Sequence, residues 1–380
     1  MSEKKSGEKR PKVLMVELHS PGNRYVLELA RQMKNYCDLT VFCKTGTPFQ
    51  VEGTKWIDGF YGGGRGKIGA VLAYGKSLMD LRRLIVKERF DVIHLHSFKK
   101  ADVEMKLYLR LQKYYKALVM TVHNALPHEP KPGDEEMYRR FYHRCDLLIG
   151  HNDATRQVLK EQFGIADEKI AVIPRGLYET YEPARADGAD GKKHFLCFGR
   201  IRHYKGVDIL IRAIGLLPQE ERNKCRFTIR GEQFPQLDQT DYADLIRKAG
   251  IGPWVDFSNQ RVPEEEIPAL LGSAHAVIFP YRKIYGSGVL LMAYTFQVPV
   301  IASDIPSFTE GTDGGKTGLL FASESPEALR DAILKAIAWD ADTVETYRRN
   351  IRELVERRHS WRFAAEQTAA GYRRVLEEKA

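Results

Sequence analysis

Short apolar runs recur along the whole chain, and stretches with the period of an amphipathic helix separate them. A run this short and this apolar is typical of a strand buried on both faces of a parallel sheet. The alternation of such strands with helices predicts an α/β architecture with parallel sheets. The predicted strands cover residues 12–18, 39–43, 92–94, 118–122, 147–150, 170–173, 195–198, 227–230, 255–257, 276–279 and 299–302.

The alternation is interrupted once, at residues 182–193, which are rich in Ala, Gly, Asp and Pro and have no apolar periodicity. Such a segment is typical of a linker between domains. A chain of 380 residues is also long enough for two domains with separate cores. We predict an N-terminal domain at 1–181, with a disordered, polar stretch at 1–11, a C-terminal domain at 194–345, and terminal helices at 346–380.

Charge and cysteine content narrow the class of protein. The net charge of +9 suits anionic lipids or phosphorylated compounds, whereas the absence of a recognisable nucleic-acid module disfavours nucleic acid. The alternative is a soluble basic protein whose positive charge serves no specific partner. The five cysteines are scattered and form no CxxC motif, which argues against a disulfide framework and a zinc site. With no apolar run of about 20 residues and no signal peptide, we predict a cytoplasmic protein, peripheral on the inner face of the plasma membrane.

A cationic loop follows the predicted strand 195–198. It carries Arg200, Arg202 and Lys205, and Gly206 then opens an amphipathic helix. An arginine offers a bidentate fork to phosphate, a lysine offers a point charge, and a helix start offers unbonded N–H groups. The pattern therefore favours diphosphate binding, and the alternative is a solvated basic loop.

A second glycine-rich helix start lies at Gly286-Ser287-Gly288, just before an apolar run that begins at Val289. Glycines at a helix start allow a ligand to approach the backbone, and the positive end of the helix dipole favours an anion. The pattern predicts a second phosphate-binding element. The alternative is that the glycines only form the turn between strand and helix in an ordinary βαβ unit.

Histidines follow several predicted strands of the first half, at His19, His96, His123 and His151. In α/β sheets ligands gather at the carboxyl ends of the strands, where histidine can perform acid–base chemistry near neutral pH. The spacing matches no known zinc site, so we predict no metal. Hydrogen bonding to loop backbone is the alternative role for at least half of these histidines.

Taken together, these motifs resemble the GT-B glycosyltransferases, specifically glycosyltransferase family 4. The matching segments are Gly199-Arg200 with Lys205-Gly206, Pro299-Val300-Ile301-Ala302-Ser303, Glu310, and Thr317-Gly318-Leu319-Leu320. The resemblance implies two Rossmann-like domains whose parallel sheets face each other across a cleft. It also implies a C-terminal helix that crosses back to the first domain, and Ser360-Trp361 looks like the signal for that crossing.

The resemblance also implies roles for individual residues. Arg200 and Lys205 match the pair that neutralises the donor diphosphate, and His96, His123 and Glu129 match the region near the transferred sugar and the acceptor. The catalytic candidates are His123, Glu129, His96, Arg200 and Lys205. The candidates for binding the nucleotide sugar are Gly22, Asn23, Gly199, Arg200, Lys205, Gly231, Arg261, Val262, Ser287, Gly288, Val289 and Glu310.

The sequence departs from the family pattern at two glutamates, of which the first contacts the sugar and the second the ribose. An ungapped alignment on Pro299 places Ile284 and Met292 at those positions. The usual retaining outcome therefore does not follow, and an inverting reaction would need a general base, for which Glu129 is the first candidate.

The predicted function is transfer of a hexose from a UDP- or GDP-sugar to a lipid-linked or polysaccharide acceptor, without a metal or other cofactor. A polyprenyl diphosphate would be a suitable lipid carrier, and an anionic membrane surface a suitable partner. The alternatives are a non-catalytic protein that binds nucleotide sugars or glycans, and an epimerase of UDP-sugars. A dinucleotide oxidoreductase is disfavoured, because no GxGxxG follows the first strand.

Overall fold

The computed structural model describes residues 10–17, 24–46, 50–61, 66–127, 130–177, 181 and 191–379, apart from the side chains of Arg24 and Lys67. Gly22, Asn23, Glu129 and most of the predicted linker lie outside these residues.

Strands and helices alternate through both halves of the chain. The strands are β1 (Lys12–Glu17), β2 (Asp38–Lys44), β3 (Lys55–Phe60), β4 (Val92–Leu95), β5 (Ala117–Thr121), β6 (Leu147–Gly150), β7 (Ile170–Val172), β8 (Lys193–Phe198), β9 (Cys225–Arg230), β10 (Val255–Ser258), β11 (Ala276–Phe279), β12 (Val300–Ser303) and β13 (Gly318–Phe321). The helices are α1 (Arg24–Met33), α2 (Gly66–Glu88), α3 (Ala101–Arg110), α4 (Asp134–Arg144), α5 (Asp153–Glu161), α6 (Val207–Leu216), α7 (Gln219–Asn223), α8 (Tyr242–Lys248), α9 (Ile267–Gly272), α10 (Gly288–Thr295), α11 (Pro306–Gly311), α12 (Pro326–Ile337), α13 (Ala341–Arg358) and α14 (Trp361–Glu377).

The chain folds into two compact units. The first unit contains Met1–Gly176 and His359–Ala380, and the second contains Leu177–Arg358. Helix α13 belongs to the second unit, so the segment that returns to the first unit begins at residue 359 rather than at the predicted residue 346.

The first unit is built on a seven-stranded sheet in the order β3-β2-β1-β4-β5-β6-β7, with parallel pairing throughout the described strands. Helices α1 and α14 pack against each other on this sheet, where Tyr25, Leu29, Trp361 and Tyr372 join its core. The final helix of the chain is therefore part of the first core.

The second unit is built on a six-stranded parallel sheet in the order β10-β9-β8-β11-β12-β13. Successive residues of β8 enter different cores, with Phe195 and Cys197 in one cluster and Leu196 and Phe198 in the other. A strand covered on both faces has a continuous apolar sequence. The predicted α/β class with two Rossmann-like domains is thus confirmed.

Two strands were missed by the sequence pattern, and both lie at sheet edges. β3 is half-exposed over its first four residues, and β13 has only four residues. An edge strand needs less apolar sequence than a central one, so the apolar-run criterion does not detect it.

Candidate functional site

The loops after β8, β9 and β11 meet at the carboxyl end of the second sheet. Gly231 adopts φ +159°, and a Cβ there would lie 1.8 Å from the carbonyl oxygen of Gly199. Gly206 adopts φ +65°, and a Cβ there would lie 1.9 Å from the carbonyl oxygen of Pro280. Backbone therefore packs on backbone at both points, which only glycine permits.

Lys205 is the buried cation of this loop cluster, with 9% of its surface exposed. Its Nζ lies 5.1 Å from the centroid of the Tyr281 ring, and no carboxylate among the described residues forms an ion pair with it. Burial lowers the pKa of Lys205 to about 8, and the charges of Arg200 and Arg202 act in the same direction. An anion bound beside this amine would offset the desolvation of its charge.

Arg200 and Arg202 flank the same loop. Their guanidinium carbons lie 6.0 and 5.0 Å from the centroid of the Phe234 ring. The Nη1 atom of Arg202 is buried and has no hydrogen-bond partner within the described part of the chain. Arg200 and Arg202 therefore lie near Lys205, and none of these three cations forms a carboxylate ion pair in the described structure. Arg202 belongs to the predicted cationic loop but was not one of the individual binding candidates.

The start of α10 lies beside this cationic loop. Ser287 caps the helix, its Oγ accepting a hydrogen bond of 3.2 Å from the N–H of Leu290. A Cβ built on Gly199 would lie 3.0 Å from Nζ of Lys205 and 3.2 Å from Cγ2 of Val289, so both side chains reach the same point. The first turn of a helix has N–H groups without intrahelical partners, and here they face a region that already carries positive charge.

Arg282 holds the cationic loop in place, a role that no local sequence pattern indicates. Its guanidinium donates to the His203 carbonyl at 2.7 Å and to both carboxylate oxygens of Asp208 at 2.9 and 2.7 Å. Burial acts to raise the pKa of Asp208, but hydrogen bonding and charge from Arg282 hold it below its ordinary value. The pair ties the turn before α6 to the segment after β11.

The other predicted binding residues of this unit take no part in these contacts. Arg261 is exposed in the loop after β10, and Val262 packs against the core beside it. Glu310 is partly buried in α11 and already engages another group. The two positions where the family has glutamate, Ile284 and Met292, pack against the same core as Val262.

Four histidines form a cluster at the carboxyl ends of β4, β5 and β6 in the first unit. The ring centroids are 4.2 Å apart for His94 and His96, 6.0 Å for His96 and His123, and 5.1 Å for His123 and His151. Tyr25 of α1 contacts the last three of these rings at 4.8 to 5.6 Å. The sequence placed His96, His123 and His151 after predicted strands, with His96 and His123 as catalytic candidates, and in the structure the ring of His94 lies against that of His96.

Hydrogen bonds fix the tautomers of two of these rings. Nδ1 of His151 lies 3.0 Å from the Ile173 carbonyl oxygen and must donate to it, so Nε2 of the neutral ring carries a lone pair. Nδ1 of His123 lies 3.1 Å from that Nε2 and donates to it. The Nε2 of His123 is then a buried acceptor, and no described residue hydrogen-bonds to it.

The cluster is held neutral. Burial lowers the pKa of His94 and of His151 to about 3, and it lowers the pKa of His96 and His123 well below the ordinary value. For His123 and His151 the Arg175 guanidinium adds to this shift; its carbon lies 5.1 Å from the Tyr25 ring centroid. Neutral imidazoles offer hydrogen-bond acceptors and donors rather than charge.

His94 and His96 differ in their bonding. The ring of His94 is bonded on both sides, at 2.6 Å to the Tyr372 hydroxyl and 2.7 Å to the Thr121 hydroxyl. Both ring nitrogens of His96 are buried and without a hydrogen-bond partner among the described residues. His94 is therefore structural, and His96 joins His123 as a group able to bind a ligand. The described residues contain no group of three or more His, Cys, Asp or Glu side chains arranged to hold a metal ion.

Both halves of the chain match family models. The model described as Glycosyltransferase Family 4 matches residues 22–179, and the model described as Glycosyl transferases group 1 matches residues 182–354. HepE of Anabaena, solved in complex with UDP and glucose, matches the fold with a TM-score of 0.73 at 18% identity, over 95% of this chain and 99% of that one.

Curated relatives share less of their length. The D-inositol 3-phosphate glycosyltransferase of Nocardiopsis dassonvillei is 23% identical over 66% of this chain and 63% of its own length. The GDP-mannose:glycolipid 4-beta-D-mannosyltransferase of Xanthomonas campestris is 26% identical over 56% of this chain and 61% of its own. These alignments thus span about three fifths of either relative. By its two family models and its fold, the chain is a member of the GT-B glycosyltransferases that resembles glycosyltransferase family 4.

Proposed function

We propose that this protein transfers a hexose from a UDP- or GDP-sugar to a lipid-linked or polysaccharide acceptor in the assembly of a cell-surface glycan. The observation that carries the proposal is the group of three cations, Arg200, Arg202 and Lys205, beside the start of α10. Breaking a glycosyl–phosphate bond leaves a nucleoside diphosphate with growing negative charge. Fixed cations and helix N–H groups stabilise such charge where it develops.

The same argument supports a reaction without a divalent metal. In this proposal the positive charge that a metal would supply comes from side chains already held in place, and Lys205 is positioned by the Arg282–Asp208 pair that fixes its turn. We expect turnover to continue in excess EDTA. Complete loss of activity that only magnesium or manganese restores would contradict this part of the proposal.

The histidine cluster supplies the complementary chemistry for hydroxyl groups. Nε2 of His123 is a buried, neutral acceptor, so it suits a hydroxyl of the transferred sugar or of the acceptor. Its lowered pKa makes it a weak base, which favours orienting a hydroxyl over taking its proton at neutral pH. His96, also unbonded within the described residues, suits the same class of group.

The acceptor is inferred from the relatives. The Xanthomonas relative acts on a glycolipid, according to its name, and HepE binds UDP and glucose. A lipid-linked acceptor presents its reacting end at a membrane surface, so we place the reaction at the cytoplasmic face of the plasma membrane. None of the helices that the structure describes is long and apolar enough to cross a bilayer, and the proposal accordingly has the protein act from outside it.

Thermal unfolding with UDP, GDP, ADP and TDP tests the donor assignment. A ligand that binds the folded protein raises its stability by an amount set by concentration relative to Kd. We expect UDP or GDP to raise the Tm more than the other two. No shift with any of the four nucleotides would overturn the diphosphate site.

Turnover separates the enzyme from its non-catalytic alternative. Release of free nucleotide from the best-binding sugar nucleotide, measured with and without a glycolipid extract, reports hydrolysis and transfer. Binding without any turnover would support a protein that only binds sugar nucleotides, whereas a product with an altered hexose would support an epimerase.

A further inference from the structure

The first four turns of α2 present an exposed apolar ridge. The four most exposed large apolar side chains among the described residues all lie on this helix: Ile68 at 79%, Leu72 at 69%, Val71 at 62% and Met79 at 53%. Their spacing places them on one helix face. Scattered apolar residues on a surface are ordinary, but a contiguous row of this kind marks a contact surface.

The opposite face of α2 already has its packing partners. Tyr74, Ser77, Leu81 and Ile85 are buried, and the Tyr74 hydroxyl donates a hydrogen bond of 2.6 Å to Glu104. The helix is therefore docked on its unit through one face. The apolar ridge is additional to what folding of this unit requires.

Basic residues outnumber acidic ones on α2, and Arg82 and Arg83 follow the last apolar residue of the ridge, Met79, by three and four positions. The sequence of α2 contains five basic and two acidic residues, and Arg83 is 73% exposed. Lys99 and Lys100 add positive charge on the other side of the helix, with their Nζ atoms 5.4 and 5.8 Å from the ring centroid of Tyr74, which lies on the packed face. One of the two carboxylates, Asp80, is bonded to Lys76 and Arg83. The surface thus combines apolar side chains with an excess of positive charge.

We propose that the α2 ridge, defined by Ile68, Val71, Leu72 and Met79, docks onto a membrane surface that contains anionic phospholipid. A helix lying in the interface buries its apolar side chains among the acyl chains and places its cations at the headgroups. A second copy of the chain suits the ridge less well, because a twofold contact through α2 would bring the basic residues of both copies together.

This inference rests on the proposed function only in that a lipid-linked acceptor requires the protein at a surface. Membrane binding through α2 needs neither the cationic loop of the second unit nor a sugar nucleotide. The two proposals can therefore fail separately.

The test is cosedimentation of the full chain with phosphatidylcholine vesicles that contain either no or about 30 mol% phosphatidylglycerol. We expect binding to the anionic vesicles, weakened as salt rises from about 50 to about 300 mM. The double variant Ile68→Ser with Leu72→Ser should bind at least about tenfold more weakly, because two of the four apolar anchors are lost.

Matched variants make the result specific. Leu216→Ser with Leu237→Ser replaces two apolar residues of the second unit that are 44% and 43% exposed, and should bind vesicles like the original chain. Arg82→Gln with Arg83→Gln should lose binding and much of its salt dependence. Unchanged nucleotide-induced thermal shifts in all variants would show that the fold and the donor site are intact.

Three outcomes would overturn the inference. They are equal binding to neutral and anionic vesicles, no binding to either, and undiminished binding by the Ile68/Leu72 variant. A concentration-dependent dimer that the same variant abolishes would assign the ridge to a second copy of the chain instead. Binding of a protein partner without vesicle binding would likewise reject the lipid assignment.

Discussion

The cationic loop of the second unit and the histidine cluster of the first unit differ in the charge of their side chains. Arg200 and Arg202 lie over an aromatic ring, and burial lowers the pKa of Lys205 only to about 8, so this amine stays mostly charged at neutral pH. His94 and His96 are more buried than Lys205, and the four histidines are held neutral, with pKa values of about 3 for His94 and His151.

The difference indicates what each region is built to bind. Charge that is already fixed suits a ligand whose own charge increases during reaction, such as a departing diphosphate. Neutral hydrogen-bonding groups suit hydroxyls, which would gain nothing from a buried charge that is costly to maintain. The following predictions separate these two roles.

The largest effect is expected for Lys205→Met. Loss of one positioned charge should lower turnover by about a hundredfold to a thousandfold. The pKa of Lys205 is about 8 in the folded chain and about 10.5 in the unfolded chain, so the unfolded chain binds more protons between these pH values. Below pH 8 the folded protein therefore carries the full cost of burying the charged amine. The free energy of unfolding should therefore be higher for the variant than for the original chain at pH 7, by up to about 3 kcal/mol.

Enzyme assays and urea unfolding of the same preparation would check both parts. Lys248→Met provides the control, because this lysine is 72% exposed and forms only a surface pair with Asp244. A Lys205→Met variant that keeps normal turnover would remove the basis for calling this loop a diphosphate site. Lower stability than the original chain would show that Lys205 has a structural partner.

Gly288→Val tests whether the start of α10 takes part with the cations. A branched side chain at the first helical residue should hinder a phosphate from reaching the N–H groups there. Loss of one charge-assisted hydrogen bond costs about 1.5–3 kcal/mol, which is a tenfold or greater loss of donor affinity. Met292→Leu is the control, since an apolar exchange in the same helix should cost less than about 1.5 kcal/mol of stability. Normal donor affinity in a folded Gly288→Val protein would restrict the donor site to the loop cations.

His151→Phe tests the tautomer argument in the histidine cluster. Without the Nε2 acceptor of His151, the Nδ1 hydrogen of His123 loses its partner. The His123 ring is then free to adopt the other tautomer, in which Nε2 carries the hydrogen. Loss of an orienting partner should lower kcat about tenfold to a hundredfold, with little change in KM for the donor. Nitrogen-15 NMR of the His123 ring would report the tautomer directly.

His151→Gln should restore part of the activity, because its side-chain carbonyl can accept the same hydrogen. His143→Phe, at an exposed histidine that bonds only the Phe163 carbonyl in the described structure, is the matched control. An equal loss in His151→Phe and His151→Gln would mean that this ring acts through packing alone.

The last prediction concerns the pH dependence of stability. Burial lowers the pKa of His94 and His151 from 6.5 to about 3, so the unfolded chain binds more protons throughout that window. Stability is therefore full above pH 6.5 and declines as the pH falls towards 3, by about 2 kcal/mol per histidine at pH 5. Urea unfolding at pH 7.5 and pH 5 would measure the change, and His94→Gln should reduce it. A flat profile would mean that the cluster is hydrated.

The sequence was sufficient for features that depend on neighbouring residues. The central strands, the cationic loop and the glycine-rich helix start each have a local pattern, and all three occur as predicted. Helix α2 was not predicted, because its apolar residues lie on both faces and produce no clear helical period. Arg282 was missed because its partner Asp208 is 74 positions away, a distance over which one sequence offers no pairing signal.

Helix α14 has a consequence for how the protein is made. Its residues Trp361 and Tyr372 contact Tyr25 and His94, so the histidine cluster is completed by a segment that is synthesised after the whole second unit. Between the two parts of the first unit the ribosome must add the whole second unit, Leu177–Arg358. At about 5–20 residues per second, those roughly 180 residues take on the order of 10–40 s. During that interval we expect the nascent first unit to expose the apolar face of α1 that α14 covers in the folded protein, and exposed apolar surface of this kind is what chaperones bind.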